Sequence, residues 1–230
     1  MAKFNTMTHE DMRALLTAQA SLNVKYTGED WASKVPVAHF IAAMQAEYGE
    51  LLESSPRTGD LVGDDMPKGW KWWKPYLEND VNNNKVEGVD MIHFAMSAML
   101  VRLGGVDEVM SEIEKLEIQP DKPEQADEFI ATALIGSVSG FTINILFTDS
   151  PQEVTAAYIY LVDALCDYCL MTPEEMVELY NKKNKLNSER IEGGYTKDAD
   201  SYQKYDEDGN EDNTKMFDSV PDTECSPCES

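Results

Sequence analysis

Two short stretches of this chain carry paired acids inside apolar surroundings. EYGELLES sets Glu47 and Glu50 three apart, and KVEGVDMIHF does the same with Glu87 and Asp90. Residues three apart share a helix face, so each pair aims both carboxylates the same way. Two such pairs on neighbouring helices would gather four carboxylates around one point. Like charges withdrawn from water either shift their pKa values or recruit a cation. Hard divalent ions with oxygen ligands meet that need, and Mg2+ combines protein carboxylates with substrate phosphates. A lone Glu-x-x-Glu in an acidic chain is ordinarily a solvated helix face. Here the pattern occurs twice, each time beside bulky apolar residues (Leu51 and Leu52; Val86, Val89, Met91, Ile92 and Phe94), and that favours a metal site. Glu53 reads as surface. His93, three beyond Asp90, reads as a hydrogen-bonded core residue rather than a ligand.

Carboxylates alone do not choose a reaction. Ferritin-like di-iron sites use a Glu-x-x-His motif on each of two helices. Neither pair has that form, and the chain holds only His9, His39 and His93. Phosphate chemistry remains, in which metals clamp phosphate oxygens and a carboxylate activates water. The contrasting reading is a non-catalytic helical protein whose acids only bind metal or face solvent.

The elements that must position these acids read as helices, and no stretch alternates long enough to suggest a sheet. HEDMRALLTAQASLN, VAHFIAAMQAEYGELLES, the acid-bearing segment up to Leu103, GVDEVMSEIEKLEI, EQADEFIATALIGSVSGFTINILF, SPQEVTAAYIYLVDALCDYCLM and TPEEMVELYNKKNKLNSERI supply seven. Pro36 suits a first turn, Gly104-Gly105 and Gly193-Gly194 suit helix ends, and Ser150 with Glu153 forms a capping box. SSPRTGDLVGDDMPKG is a loop by composition. Beyond Tyr195 apolar periodicity disappears. The chain therefore reads as an all-α catalytic domain over residues 1–194, followed by an acidic, partly flexible tail over 195–230.

With 230 residues and 42% hydrophobic content, the chain can bury a substantial core. Its formal net charge of -24 argues against a nucleic-acid polymer as partner, since such binding draws on Lys and Arg displacing counterions. The N-terminus lacks the apolar stretch of a secretory signal, which leads to a cytoplasmic expectation without membrane attachment. Residues 131–147 are too short and too polar to span a bilayer, and read as a buried helix or a helix–helix interface. The pairs Cys166/Cys169 and Cys225/Cys228 have zinc-like spacing, but the first lies in an apolar helical pattern and the second at the end of a polar tail. Buried free thiols are the favoured reading for the first pair.

Five segments in order carry a resemblance. QASLN with Trp31, EYGELLES with the later WKWWK, EGVDMIHF, YNKKNKLNSERIEGGY, and SYQK with EDN together resemble the motifs of the dimeric all-α dUTP diphosphatases, within the wider all-α, MazG-like nucleotide pyrophosphatases. The resemblance implies an all-α helical bundle that forms a homodimer. It implies Mg2+, two or more ions per site, on Glu47, Glu50, Glu87 and Asp90, with Glu47 also the general base. It implies uracil contacts from Gln19, Asn23 and Asn187, a pocket shaped by Trp31 and Trp73, and triphosphate contacts from Lys183, Arg190, Tyr195 and Lys204. The implied reaction is hydrolysis of dUTP to dUMP and pyrophosphate, with the C-terminal segment closing over the phosphates. Amide side chains present donor or acceptor edges, so a dCTP/dUTP or broader nucleoside triphosphate pyrophosphatase is the alternative.

Overall fold

The computed structural model describes residues 7–54, 80–116, 127–194 and 212–217. Among them the chain forms eight α-helices and one short 3-10 helix, and no strand. Helix α1 (His9–Thr27) starts at a capping box, in which Thr8 accepts from the Asp11 amide while the Asp11 carboxylate accepts from the Thr8 amide. It runs one turn beyond the predicted end at Asn23. The single turn α2 (Trp31–Lys34) has no periodic signal in the sequence. Helix α3 (Val37–Ser54) follows Pro36. Helix α4 (Val81–Leu103) is capped by Asp80 and stops where Gly104 takes φ 107°, a left-handed conformation that glycine adopts without strain. Then come α5 (Val106–Lys115), α6 (Asp127–Phe147), α7 (Pro151–Cys169) and α8 (Pro173–Glu192). Ser150 and Thr172 cap the last two, each with proline in the first turn as the sequence predicts.

Helix α4 is the axis of the bundle, touching α1, α2, α3, α5, α6, α7 and α8. Its buried residues lie all round it, from Val86, Val89 and Ile92 to Ala95, Met96 and Met99. Burying each large side chain of this kind contributes about 1.5–3 kcal/mol against leaving it exposed. One close approach depends on Gly88. A Cβ there would lie 2.8 Å from Cys169 Sγ, and that thiol donates to the Asn84 carbonyl at 3.2 Å. The absence of a side chain at residue 88 thus lets α7 lie close against the acid-bearing turn of α4.

Helices α3 and α4 form the most extensive pairing in the fold and run antiparallel. Their adjoining ends are tied directly: the Asp80 amide donates to the Ser54 carbonyl at 3.2 Å, and Ser54 Oγ donates to Asn84 Oδ1 at 2.8 Å. Counting back from Ser54 and forward from Asn84 brings Glu50 and Glu47 level with Glu87 and Asp90.

Helix α6 packs on α7 through Leu134, Val138, Phe141 and Ile145, with the Phe141 and Tyr158 rings 6.1 Å apart. Its other side is open, and Ile143 (58% exposed), Phe147 (79%) and Tyr160 of α7 (67%) project from the bundle. Of the two readings of residues 131–147, the helix–helix interface is the one seen among the described residues, where α6 packs chiefly on α7. No single described helix is long and apolar enough to cross a membrane. Cys166 and Cys169 are buried and form no disulfide among the described residues, where the cluster of metal-capable side chains lies at the glutamates instead. Cys225 and Cys228 fall outside the described residues. Asp212–Met216 forms the 3-10 helix, docked on α8 with Met216 buried.

Candidate active site

The facing turns of α3 and α4 bring Glu47, Glu50 and Glu87 together, with one carboxylate oxygen from each within 4.8 Å of the others. Glu87 is 6% exposed, Glu50 lies at the open edge, and Glu47 is intermediate. Burial pushes the Glu87 carboxyl up to about 9, and its hydrogen bond with Glu47 and the negative charge of Asp90 act in the same direction. Glu47 is also raised, first by burial and then by the charge of Asp90. Without a cation, Glu87 therefore keeps its proton and donates it to Glu47. Hard oxygen donors, mutual proximity and a suppressed ionisation are what a divalent cation would relieve, and the donor set fits one.

Asp90 stands beside this trio, with Lys183 of α8 donating to Asp90 Oδ2 at 2.7 Å. Lys183 also donates to Asn213 Oδ1 at 2.9 Å. Arg190, two turns further along α8, forms a two-pronged ion pair with Asp212 and donates to Asn213 Oδ1 at 3.0 Å and to Asn187 Oδ1 at 3.1 Å. Both cations are nearly buried. Lys182 and Lys185 instead pair with Glu178 and Glu189 along the exposed face of α8, as cations near a helix C-terminus do.

A cavity of about 440 Å³ joins these groups to a second cluster. Its far end is walled by Trp31, Phe40 and Phe94, with Trp31 and Phe40 edge to face at 6.1 Å. Its polar floor is a buried network. Gln19 Oε1 lies 2.6 Å from both His93 Nδ1 and the Tyr180 hydroxyl, while Gln19 Nε2 donates to Ser97 Oγ at 2.9 Å and to Asn23 Oδ1 at 3.1 Å. His93 stacks on Tyr180 at 4.0 Å. Burial lowers its pKa to about 3, with the charge of Lys183 acting the same way, so the ring is neutral and its Nδ1–H donates to Gln19.

The sequence-predicted residues Glu47, Glu50, Asp90, Gln19, Asn23, Trp31, Lys183, Asn187 and Arg190 all line this one cavity, and Glu87 sits behind it against Glu47. His93 is the core residue it was expected to be. Trp73, Tyr195 and Lys204 lie outside the described residues. Sequence reasoning passed over Ser97, Tyr180 and Asp212. Ser97 lies two helical turns past Asp90 on the same face, and Tyr180 one turn before Lys183, so helical periodicity was the available signal.

A recess with acids and buried cations at one end, and amides between aromatic walls at the other, asks for a ligand that is at once polyanionic and heteroaromatic. That describes a nucleotide, and the class is a helical nucleotide hydrolase. A family model for dUTPase matches residues 11–195, and the chain belongs to the all-α dUTPase family: it is a dUTP diphosphatase, a nucleoside triphosphate pyrophosphohydrolase. No curated protein matches the chain.

Proposed function

We propose that the protein hydrolyses dUTP to dUMP and pyrophosphate with Mg2+ held by Glu47, Glu50, Glu87 and Asp90. The observation that carries this is the convergence of Glu47, Glu50 and Glu87 within 4.8 Å at one end of the nucleotide-shaped cavity. Magnesium, two or more ions when bound, supplies neutralisation of the phosphate oxygens. Glu47 takes the proton of the attacking water, a role open to a carboxylate that lines the cavity beside the proposed cation. Lys183 and Arg190 face the phosphate chain and offset the charge that develops there.

Gln19, Asn23 and Asn187 form the base end, between Trp31 and Phe94. The family resemblance adds Trp73 to that wall, and Tyr195 and Lys204 to the phosphate contacts. Residues 1–194 act as the catalytic domain and 195–230 as a segment that closes over the phosphates. The docking of Asp212 and Asn213 against Arg190 and Lys183 supports that division. A homodimer in the cytoplasm completes the proposal, the dimer supported by the exposed apolar side chains Ile143, Phe147 and Tyr160.

The test is a competition assay with dUTP, dCTP, dTTP and UTP, with and without Mg2+. Selective conversion of dUTP to monophosphate and pyrophosphate is expected. Metal-independent turnover, or release of orthophosphate, overturns the proposal.

A further inference from the structure

An amide can read uracil or cytosine simply by turning over, because rotation by 180° exchanges its N–H for its carbonyl oxygen. Discrimination requires an amide that cannot turn. We infer that Ser97, Gln19, Tyr180 and His93 lock Asn23 in one polarity, and that this lock selects the dioxo pyrimidine uracil over the amino pyrimidine cytosine. The inference rests on the nucleotide-binding role of the cavity proposed above.

The lock starts at Ser97. Its single hydroxyl proton goes to the His93 carbonyl at 2.9 Å, one turn back along α4. Both hydroxyl lone pairs then require donors, and Gln19 Nε2 at 2.9 Å and Asn23 Nδ2 at 3.0 Å supply them. The second Gln19 Nε2 proton goes to Asn23 Oδ1 at 3.1 Å. On its other side Gln19 Oε1 accepts from Tyr180 and from the Nδ1–H of His93, each at 2.6 Å. All four hydrogen-bonding positions of Gln19 are now taken, so Gln19 positions and Asn23 contacts the base. Turning Gln19 over would force His93 and Tyr180 to exchange their donor roles and would set the Gln19 oxygen against Asn23 Oδ1, now 3.1 Å from its Nε2, at about 1–3 kcal/mol for each buried group left unsatisfied.

Asn23 keeps one free Nδ2–H toward the cavity. Asn187, on the same cavity, is fixed independently: its Oδ1 accepts from Arg190 Nη1 at 3.1 Å, which leaves its NH2 group free. The pocket therefore offers N–H donors from two amides. Asn23 Oδ1 also keeps a lone pair beyond the one Gln19 uses, so its locked edge sets a donor beside an acceptor: uracil answers with a carbonyl oxygen next to N3–H, whereas cytosine presents an amino group next to a bare N3 and opposes both. A site built around one hydrogen-bond pattern rejects the analogue lacking it far more strongly than an apolar pocket does.

Ser97→Ala and Tyr180→Phe test the lock separately. Tyr180→Phe removes one oxygen and preserves the ring stacked on His93, so it is informative even if Ser97→Ala lowers the yield of folded protein. The measurements are kcat/KM for dUTP and dCTP, and calorimetric Kd for dUMP and dCMP in the presence of Mg2+. In each variant the dUTP/dCTP ratio is expected to fall by about tenfold or more, chiefly through KM, and the Kd for dUMP is expected to rise more than that for dCMP. A ratio unchanged in both folded variants, or a wild-type preference for dCTP, overturns the inference. If wild type turns over neither triphosphate, the proposed function fails instead, and the dUMP and dCMP affinities still decide whether the lock exists.

Discussion

Lys183 and Asp90 meet at 2.7 Å, with their side chains only 3% and 17% exposed. The pair joins the last helix to the second acidic turn, and it accounts for Asp90 standing apart from the three clustered glutamates. An ammonium group satisfies this fourth carboxylate, so Lys183 competes with any divalent ion that engages Asp90. Replacing one member of such a pair leaves the other charge uncompensated.

Lys183→Met is therefore expected to separate metal binding from turnover. With the competing ammonium gone, Mg2+ affinity measured by calorimetry should hold or tighten. Turnover should fall by about 10²-fold for want of the cation that faces the phosphates. A variant whose activity returns at high Mg2+ would show that Lys183 serves only to organise the acids.

The acid cluster should make the metal-free protein less stable as pH rises. Burial raises the folded-state pKa of Glu87 to about 9, above the ordinary value of 4.5, and Glu47 is shifted in the same direction. A raised carboxyl contributes stability that is complete below the unfolded value and is lost as pH climbs through the folded one. Thermal melts in a chelator should therefore show Tm falling between about pH 5 and pH 9, and Mg2+ should flatten that slope. A chelated protein whose Tm rises across this range would contradict the assignment.

Glu87→Gln removes the charge while keeping the shape. The metal-free Tm at pH 8 is expected to rise by about 2–4 °C, since the chain no longer has to take up a proton at this residue on folding. At the same time Mg2+ should lose its stabilising effect, and turnover should fall by about 10³-fold. Glu50→Gln, at the open edge, should leave the metal-free Tm nearly unchanged. Equal responses from the two variants would argue against the burial difference between them.

Gly88→Ala is expected to destabilise by about 1–3 kcal/mol, because the new methyl group would meet Cys169 Sγ at 2.8 Å. Cys169→Ala in the same chain should recover part of that loss, which a double-mutant cycle in urea would measure. Strict additivity would place the strain elsewhere.

The sequence announced what is local and withheld what depends on partners. The faces of Glu47/Glu50 and Glu87/Asp90, the caps at Ser150 and Thr172 and the stop at Gly104 follow from spacing and from backbone preferences within a few residues. Helix α2 was missed because one turn is too short for periodicity to register. Residues 131–147 are apolar on every side, so the pattern could not say which face α7 would cover. The resemblance singled out Lys183, whereas spacing alone does not separate it from Lys182 and Lys185; the packing of α8 against α4 turns it inward while the other two stay at the surface. Ser97 and Tyr180 are ordinary residue types whose importance appears once Gln19 lies between them.

The Ser54–Asp80 and Ser54–Asn84 bonds join the facing ends of α3 and α4 about one turn from Glu50 and Glu87, two of the carboxylates proposed to hold metal. That knot sets the spacing of the acids from the two helix ends themselves, whatever the number of residues between Ser54 and Asp80. Since each doubling of a closed loop costs only about 0.6 kcal/mol of entropy, a few residues inserted just after Ser54, well short of Trp73, are expected to leave the acids in register.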